Sequence, residues 1–166
     1  RECCSAVVCA AGLILDAGGN VLTSVAGMLS QAGRCHTFDG RADGYSRAEG
    51  AVAAVFHAAC GNDGNDSEQT SVSMLGLAVQ QDGASASLTA PNGTSQRRLL
   101  RAVCEATGLS TQQPGSAEAH GTGTALGDPI EIGAVADAFG VGRLRSAVLL
   151  LGAVKANAGH LENTAG

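Results

Sequence analysis

Two glycine-rich loops, each carrying a histidine, set the strongest constraint on how this chain can fold. They are Glu118–Thr124 (EAHGTGT) and Lys155–Glu162 (KANAGHLE), and their histidines, His120 and His160, are two of the four in the chain. Glycine allows a sharp turn or a close backbone approach, so each loop presents its imidazole at a bend. One such loop alone would be explained most simply as a tight turn around a hydrogen-bonded histidine. Two of them favour a fold that brings both imidazoles into one site.

Apolar runs alternate with helix signals along the chain. These runs predict strands over Ser5–Leu15, Gly50–Ala59, Val72–Val79 and Ser146–Val154. The first run is continuous enough for a strand that is buried on both faces, and the last leads directly into the second histidine loop. Strands that alternate with helices, with a histidine loop beyond a strand end, indicate a layered α/β architecture.

Two helices are predicted from their capping residues. The first covers Ser95–Thr107, with Gly108 as its C-cap. The second should begin with Asp128 as N-cap, Pro129 as the first helical residue and Glu131 as the capping-box partner, and it should run to about position 139. The stretches between these elements are predicted to be weakly helical or irregular over Val21–Ala32, a polar loop over Gly33–Gly50, and a solvated turn over Gly61–Asp66.

Composition and charge exclude some classes of partner. The net charge is −5 and Lys155 is the one lysine, which argues against a nucleic-acid partner. No apolar run reaches the roughly 20 residues that span a bilayer, so we expect no membrane segment. Arg1 is preceded by neither a start methionine nor a signal pattern, and we expect a cut end there. The sequence does not indicate a cellular location.

The cysteines and acidic residues do not form a metal-binding pattern. None of the six cysteines belongs to a C-x-x-C pair or to a Cys/His group with zinc-site spacing, so we expect reduced, structural thiols and no metal. The segment Asp39–Gly44 has the look of a calcium loop, but Arg41 occupies the third ligand position and Gly50 the twelfth. We expect a network of charged hydrogen bonds there that includes Arg34, Arg47 and Glu49. For His36 and His57 we expect no catalytic role.

The first histidine loop has a second possible use. Gly121, Gly123 and Gly127, together with Thr122 and Thr124, could hold a phosphate-bearing or amide-bearing arm against exposed backbone N–H groups. The Gly-Lys-Ser/Thr ending of a P-loop is missing. A pantetheine- or nucleotide-binding α/β module without covalent chemistry is therefore one hypothesis that this loop leaves open.

Several segments, in order along nearly the whole chain, resemble the β-ketoacyl synthase family, and most closely the ketosynthase domains of modular polyketide synthases. They are GRCHTFD with DGY and RAEG at positions 33–50, QDG at 81–83, LTAPNG at 88–93, EAHGTGTALGDPIE at 118–131, and LGAVK through HLE at 151–162. The resemblance implies a thiolase-like layered α-β-α-β-α fold that is incomplete here. Residues 1–166 would be the end of the N-terminal half and most of the C-terminal half of a ketosynthase domain, truncated at both ends.

The resemblance also implies a chemistry, the decarboxylative Claisen condensation of polyketide or fatty acid elongation. A cysteine takes an acyl group from a thioester, and a malonyl-type extender on acyl carrier protein decarboxylates and attacks it. No cofactor would be bound, since substrates are carried on phosphopantetheine. The partners implied are acyl carrier protein, other polyketide synthase domains and, for the complete domain, a second copy of itself.

The same resemblance implies a role for individual residues. His120 and His160 match the two catalytic histidines, Lys155 and Glu162 match supporting residues, and Thr122 and Thr124 match threonines that contact the pantetheine arm. Neutral imidazole N–H groups would stabilise the enolate oxygen. Each histidine should therefore keep a pKa near or below about 6.5, helped by the charge of Lys155.

The family's nucleophilic cysteine has no counterpart in this sequence. Cys3-Cys4-Ser5 is superficially similar to the family's nucleophile elbow, but the apolar run after it matches the segment that follows the nucleophile helix. We therefore expect the nucleophile to lie outside this chain, and we expect the 166 residues alone to be inactive and poorly folded. The alternative is a non-catalytic partner of the chain-length-factor type, which keeps the fold without the cysteine.

Overall fold

An antiparallel pair of strands forms the N-terminal part of the structure, a computed structural model that describes residues 3–58, 72–85, 90–143 and 147–164. Strand β1 (Ser5–Gly12) pairs along its whole length with β2 (Gly50–His57). Each strand contains two valines, which favour a sheet, beside alanine and glycine, which are less common in strands. Between them lies helix α1 (Gly18–Val25), which agrees with the weakly helical segment predicted around Val21–Ala32.

The prediction that the first strand is buried on both faces is wrong for this chain. Val7 on β1 is 65% exposed and Val55 on β2 is 59% exposed. Among the helices and strands of the described residues, only β2 and a 3-10 turn at Glu162–Thr164 contact β1, so no layer covers these apolar side chains. The strand also ends at Gly12, three residues before the predicted end at Leu15.

Helix α2 (Gly93–Thr107) is held by caps at both ends. The Asn92 side chain accepts hydrogen bonds from the backbone N–H groups of Thr94 and Ser95, which lack partners within the helix. At the other end Gly108 has a φ of +70°, which confirms the predicted C-cap. The helix begins two residues earlier than the predicted start at Ser95, because Asn92 provides the cap.

The buried core of the chain lies where α2 packs on α3 (Gly127–Val135) and on the π-helical turn that continues α3 to Gly140. Its apolar members each expose less than a tenth of their surface; they are Cys104, Val135, Ala138 and Phe139. Leu100, Leu149 and Leu151 pack against this cluster. Cys104 thus behaves as the small hydrophobe that its alanine- and valine-rich surroundings predict.

The two histidine loops follow two neighbouring parallel strands. Strand β3 (Ser116–Glu118) pairs with β4 (Leu150–Gly152), and α3 lies between them in the chain. Parallel strands have their carboxyl ends at the same edge of a sheet. The segment after β3 and the short helix α4 (Lys155–Ala158) after β4 therefore start side by side.

Two predicted strands differ from the structure. Val72–Val79 has no regular secondary structure, and its Val72 and Val79 side chains are 80% and 87% exposed. Of Ser146–Val154, only Leu150–Gly152 is a strand, and Ser146 lies outside the described residues. A strand forms where a neighbouring strand accepts its hydrogen bonds, and apolar runs alone do not predict that partner. The polar loop from Gly33 is confirmed as irregular up to β2; the predicted turn at 61–66 lies outside the described residues.

The structure also bears on the membrane, thiol and metal expectations. Within the described ranges, no helix has the length and apolar character needed to cross a bilayer. Among the described cysteines, Cys35 and Cys104 are buried free thiols, and Cys3, Cys4 and Cys9 are exposed free thiols. In that same part of the chain, no group of three or more His, Cys, Asp or Glu side chains is arranged to hold a metal ion.

Candidate active site

Glu131 on α3 fixes the backbone of the first histidine loop. Its carboxylate accepts hydrogen bonds from the N–H groups of His120 and Gly121, at 2.6 and 2.8 Å. The capping box predicted for Glu131 is therefore wrong, because this carboxylate reaches across to the loop instead of back to its own helix start. Gly121 has a φ of +48°, and a Cβ there would collide with the Ala153 side chain. Glycine at this position thus allows the first loop to approach the segment that connects β4 to the second loop.

Asp128 is a second anchor of the same loop. Its side chain is almost fully buried and accepts hydrogen bonds from the N–H groups of Gly123, Thr124 and Phe38, at 3.1, 3.2 and 2.8 Å. The prediction that Asp128 is the N-cap is wrong. Helix α3 begins at Gly127, so Asp128 is its second residue and Pro129 its third. An aspartate before a proline is typical of a helix start, but here the carboxylate satisfies a loop.

These two carboxylates remove the basis for a phosphate-binding loop. The N–H groups of Gly121, Gly123 and Thr124 already donate to Glu131 or Asp128. An incoming phosphate would find these donors occupied and would meet two negative charges behind them. The hypothesis of a backbone cradle for a phosphate-bearing arm is therefore wrong for this loop. The hydroxyls of Thr122 and Thr124, 3.4 Å apart and half-buried, are the groups that could contact an arm.

The second histidine loop is held against the segment before β2. The N–H of His160 donates to the carbonyl of Ser46 at 2.7 Å, and the carbonyl of His160 accepts from the N–H of Ala48 at 2.9 Å. Gly159, with a φ of +76°, lies against the same segment, and a Cβ there would be 3.0 Å from that of Ala48. The main chain of His160 is thereby fixed on both sides.

The hydrogen bond at Nδ1 of His160 settles which nitrogen carries the proton in its neutral form. The backbone N–H of Glu162 donates to Nδ1 at 2.9 Å, so Nδ1 is an acceptor. A neutral imidazole has one donor and one acceptor nitrogen, so Nε2 carries the proton. His160 is thus arranged to donate a hydrogen bond from Nε2.

The structure brings the two predicted histidines together. The ring centroids of His120 and His160 are 5.5 Å apart, with the rings nearly perpendicular, and the ring of Tyr45 lies 5.0 Å from that of His160. His57 has a different partner, since it is hydrogen-bonded to Ser5 across the β1–β2 pair at 2.9 Å. The pairing of His120 with His160 follows from the parallel strands, because each loop leaves the same edge of the sheet.

Burial and charge favour the neutral form of both rings. Burial lowers the pKa of His120 below its ordinary value of 6.5, and the charge of Lys155 lowers it further, while Glu131 and Asp128 oppose this. Burial and Lys155 also lower the pKa of His160, and the neighbouring His120 adds to the effect. The expected direction is confirmed, but burial is a larger cause than Lys155. Two neutral rings can donate hydrogen bonds without bringing positive charge.

The two supporting residues, Lys155 and Glu162, lie in different surroundings. Lys155 is buried at the start of α4, close enough to influence the pKa of both histidines. Glu162 forms an ion pair with Arg47, at 2.7 Å, and this bond lowers the pKa of Glu162. The network predicted around Asp39–Gly44 is thus divided, because Asp39 pairs locally with Arg41 while Arg47 belongs to the histidine site.

Three further residues contact the histidine site, although the sequence analysis assigned them no role there. Glu118 accepts a hydrogen bond from the N–H of Val154 and so connects the end of β3 to the start of α4. Tyr45 contacts His160, and Arg47 pairs with Glu162. Glu118 could have been found from its position two residues before His120. Tyr45 and Arg47 are more than 100 positions from their partners in the sequence, and no local pattern connects them.

A surface cavity of ≈ 530 Å³ adjoins this arrangement between α1 and the segment that carries Tyr45 and Arg47. A second cavity, of ≈ 490 Å³, lies between α2 and α3, with Arg97 and Asp137 among its lining residues. Neither of these two cavities is lined by His120 or His160.

Two family profiles match this sequence. The profile described as the N-terminal domain of beta-ketoacyl synthase matches residues 1–59, and the profile of its C-terminal domain matches residues 72–166. Among curated proteins, the chain is 43% identical over 166 residues to a phenolphthiocerol/phthiocerol polyketide synthase of Mycobacterium tuberculosis, and 40% identical to squalestatin tetraketide synthase of a Phoma species. It covers 8% and 6% of their lengths, and both matches include all of this chain.

Solved structures match the fold of the described chain. The ketosynthase from module 6 of the bacillaene synthase of Bacillus subtilis 168 superposes with a TM-score of 0.80 at 33% identity, and an oxazolomycin ketosynthase domain of Streptomyces albus JA3453 with a TM-score of 0.84 at 33% identity. Each match covers 99% of this chain and 30% or 29% of the solved chain. The chain thus spans less than a third of the solved domains that it matches.

Proposed function

The chain belongs to the β-ketoacyl synthase family, with part of its thiolase-like layered α/β fold, and we propose that the domain to which it contributes catalyses decarboxylative Claisen condensation in polyketide or fatty acid chain elongation. The observation that carries this proposal is the pair of facing imidazoles of His120 and His160, 5.5 Å apart. The acyl group being extended would be held as a thioester on a cysteine outside this chain. The extender would be a malonyl-type thioester carried by acyl carrier protein.

The proposed role of both histidines is to stabilise an enolate. In the extender, the bond between the α-carbon and the carboxylate breaks, CO₂ leaves, and the electron pair forms an enolate on the thioester. The enolate carbon then attacks the acyl carbonyl, a carbon–carbon bond forms, and the cysteine thiolate leaves. His120 and the Nε2–H of His160 would donate hydrogen bonds to the oxygen on which the negative charge appears, an interaction that is stronger in the transition state than in the substrate.

The electrostatics support donation by neutral rings. Burial and Lys155 lower the pKa of both histidines below the ordinary value of 6.5, which favours the neutral form of each ring. A charged imidazolium would attract the extender's carboxylate and disfavour loss of CO₂ from it. Two uncharged donors stabilise the enolate without stabilising that ground state to the same degree.

The remaining residues are assigned by position. We propose Lys155 as the source of the local positive field and Glu162 as a structural support of His160, and we propose Thr122 and Thr124 as contacts for the pantetheine arm through their hydroxyls. No bound cofactor is required by this scheme. Acyl carrier protein and other polyketide synthase domains would be the partners, and the complete domain would be a homodimer.

The test uses the complete domain that contains this chain. Its nucleophile position is first identified by sequencing upstream of Arg1, where a cysteine is expected. Condensation is then followed by mass spectrometry with an acyl donor and a malonyl thioester, for the wild type, His160→Ala and the matched control His57→Ala. We expect His160→Ala to abolish the β-ketoacyl product and His57→Ala to retain it. Undiminished product from His160→Ala would contradict the proposal, and a residue other than cysteine upstream would favour the non-catalytic partner.

A further inference from the structure

The backbone of Arg47 lies beside that of His160, because the residues before and after Arg47 are hydrogen-bonded to His160. The carbonyl of Ser46 and the N–H of Ala48, on either side of Arg47, bind the N–H and carbonyl of His160. The segment around Arg47 therefore sets the position of the His160 backbone. The mechanism proposed above does not use the side chain of Arg47, although that side chain is only 14% exposed.

The Arg47 guanidinium holds the residue that follows the second histidine loop. Its Nε and Nη2 donate to the two carboxylate oxygens of Glu162 at 2.7 and 2.9 Å, and its Nη1 donates to the Asn20 side chain on α1 at 2.7 Å. A two-bond contact of this kind fixes the direction as well as the distance of a carboxylate. Asn20 in turn holds the guanidinium plane, so Glu162 is fixed against α1.

Glu162 needs such support because of its backbone. Its φ is +51°, which is uncommon for a residue with a side chain. Such a conformation costs free energy and persists only where the surrounding contacts maintain it. In this conformation its N–H donates to Nδ1 of His160 at 2.9 Å. The Leu161–Glu162 peptide unit that carries this N–H lies between two anchors, the His160 backbone held by Ser46 and Ala48 and the Glu162 carboxylate held by Arg47. Without the contact to Arg47, Glu162 would be free to leave its unfavourable φ, the peptide unit would be free to rotate, and its N–H would no longer be directed at Nδ1.

We propose that Arg47 is a positioning residue that acts through Glu162 to keep the proton of neutral His160 on Nε2. Its catalytic consequence rests on the function proposed above, because a ring protonated on Nδ1 would present a lone pair to the enolate oxygen in place of an N–H. Its structural consequence is independent of any reaction, since the tautomer of His160 can be measured without substrate.

The tautomer is read from the ¹⁵N chemical shifts of the His160 ring in the complete domain, alongside kcat and KM. The variants are Arg47→Met, Arg47→Lys and Glu162→Gln, with Arg97→Met as the matched control, since Arg97 forms an ion pair with Asp137 at the α2–π-turn contact. We expect wild type and Arg97→Met to show an Nε2–H ring, and Arg47→Met to show a mixture with Nδ1–H. Arg47→Lys, which keeps the charge but not the two-bond geometry, should lie between them.

The kinetic expectation is a loss in kcat with KM little changed. For Arg47→Met the loss should be about 10- to 100-fold, the range typical when the outer partner that orients a metal-bound histidine is removed. If Arg47→Met folds, keeps the His160 tautomer of the wild type and has the same kcat as Arg97→Met, the inference is wrong. If Arg47→Met does not fold, an unchanged tautomer in both Arg47→Lys and Glu162→Gln overturns it equally. If the wild type performs no condensation, the proposed function is wrong. If the Arg47 variants nevertheless shift the tautomer of His160, the positioning role is supported.

Discussion

The histidine loops and the β1–β2 pair are stabilised in opposite ways. In the loops, buried polar groups are paired within the chain: Asp128 and Lys155 are each 3% exposed, and Asp128 accepts three backbone hydrogen bonds. In the β1–β2 pair, the backbone ladder is complete over eight residue pairs, but the valine side chains are more than half exposed, as at Val8.

This difference separates what the chain determines alone from what it needs other layers for. Hydrogen bonds within this chain, several of them between residues far apart in the sequence, position the imidazoles, so the site geometry is encoded in these residues. The apolar faces of β1 and β2 contribute stability only when another layer removes them from water, at roughly 25 cal/mol for each Å² buried. Within the described residues that layer is missing. The two strands are therefore paired by backbone hydrogen bonds, but their apolar side chains are not packed in a core.

The most severe test of this comparison is the 166-residue chain on its own. We expect it to aggregate or to bind a dye for exposed apolar surface, and to show no cooperative thermal transition, because the exposed strand faces favour association. Calorimetry and light scattering would measure this, with the complete domain as the control. A sharp two-state transition of the isolated chain would show that β1 and β2 are stable without a further layer.

A smaller effect is expected when the loop anchor is removed from the complete domain. Asp128→Ala leaves three backbone N–H groups without their acceptor in a buried site, and we expect a loss of about 3 kcal/mol in the free energy of unfolding.

Denaturant titration of that variant is compared with Asp137→Ala, which removes an exposed carboxylate paired with Arg97. The control should cost less than about 1 kcal/mol. If the two variants were equally stable, the buried hydrogen bonds of Asp128 would not be what holds the loop.

The smallest expected effect concerns the charge at Lys155. Its removal in Lys155→Met should raise the pKa of His120 and of His160 towards 6.5, but burial, the larger cause, would still hold both below it. NMR titration of the two rings in the complete domain measures this, with Arg97→Met as the control. If the pKa values of both histidines were unchanged in Lys155→Met, the charge of Lys155 would not be a cause of their lowering.

The same pKa shifts predict how stability depends on pH. A histidine whose pKa is lower in the folded state binds fewer protons when folded, so the free energy of unfolding falls as the pH drops through the unfolded value of about 6.5. His120→Gln should weaken this dependence in denaturant titrations from pH 7 to about 5. A dependence that stays the same would mean that His120 does not contribute to it.

The sequence predicted the proximity of the two histidines better than it predicted the fold elements. His120 and His160 could be identified because glycine next to histidine is a local signal, and Gly108 as a C-cap is also local. Asp128 and Glu131 were recognised as important but assigned to helix capping, since their true partners lie across a loop. Val72–Val79 was mispredicted because a strand requires a neighbour, and the pairing of Arg47 with Glu162 joins positions that no periodicity connects.

The most direct test of the central claim is the rate of CO₂ release from a malonyl thioester by the complete domain. This step isolates enolate formation from the transfer of the acyl group, so it reports on the facing histidines alone. We predict that His120→Ala and His160→Ala each lose about 10²- to 10³-fold, as expected when one donor to a developing oxyanion is removed, while His57→Ala stays near wild type. Decarboxylation at the wild-type rate in both His120→Ala and His160→Ala would contradict the account.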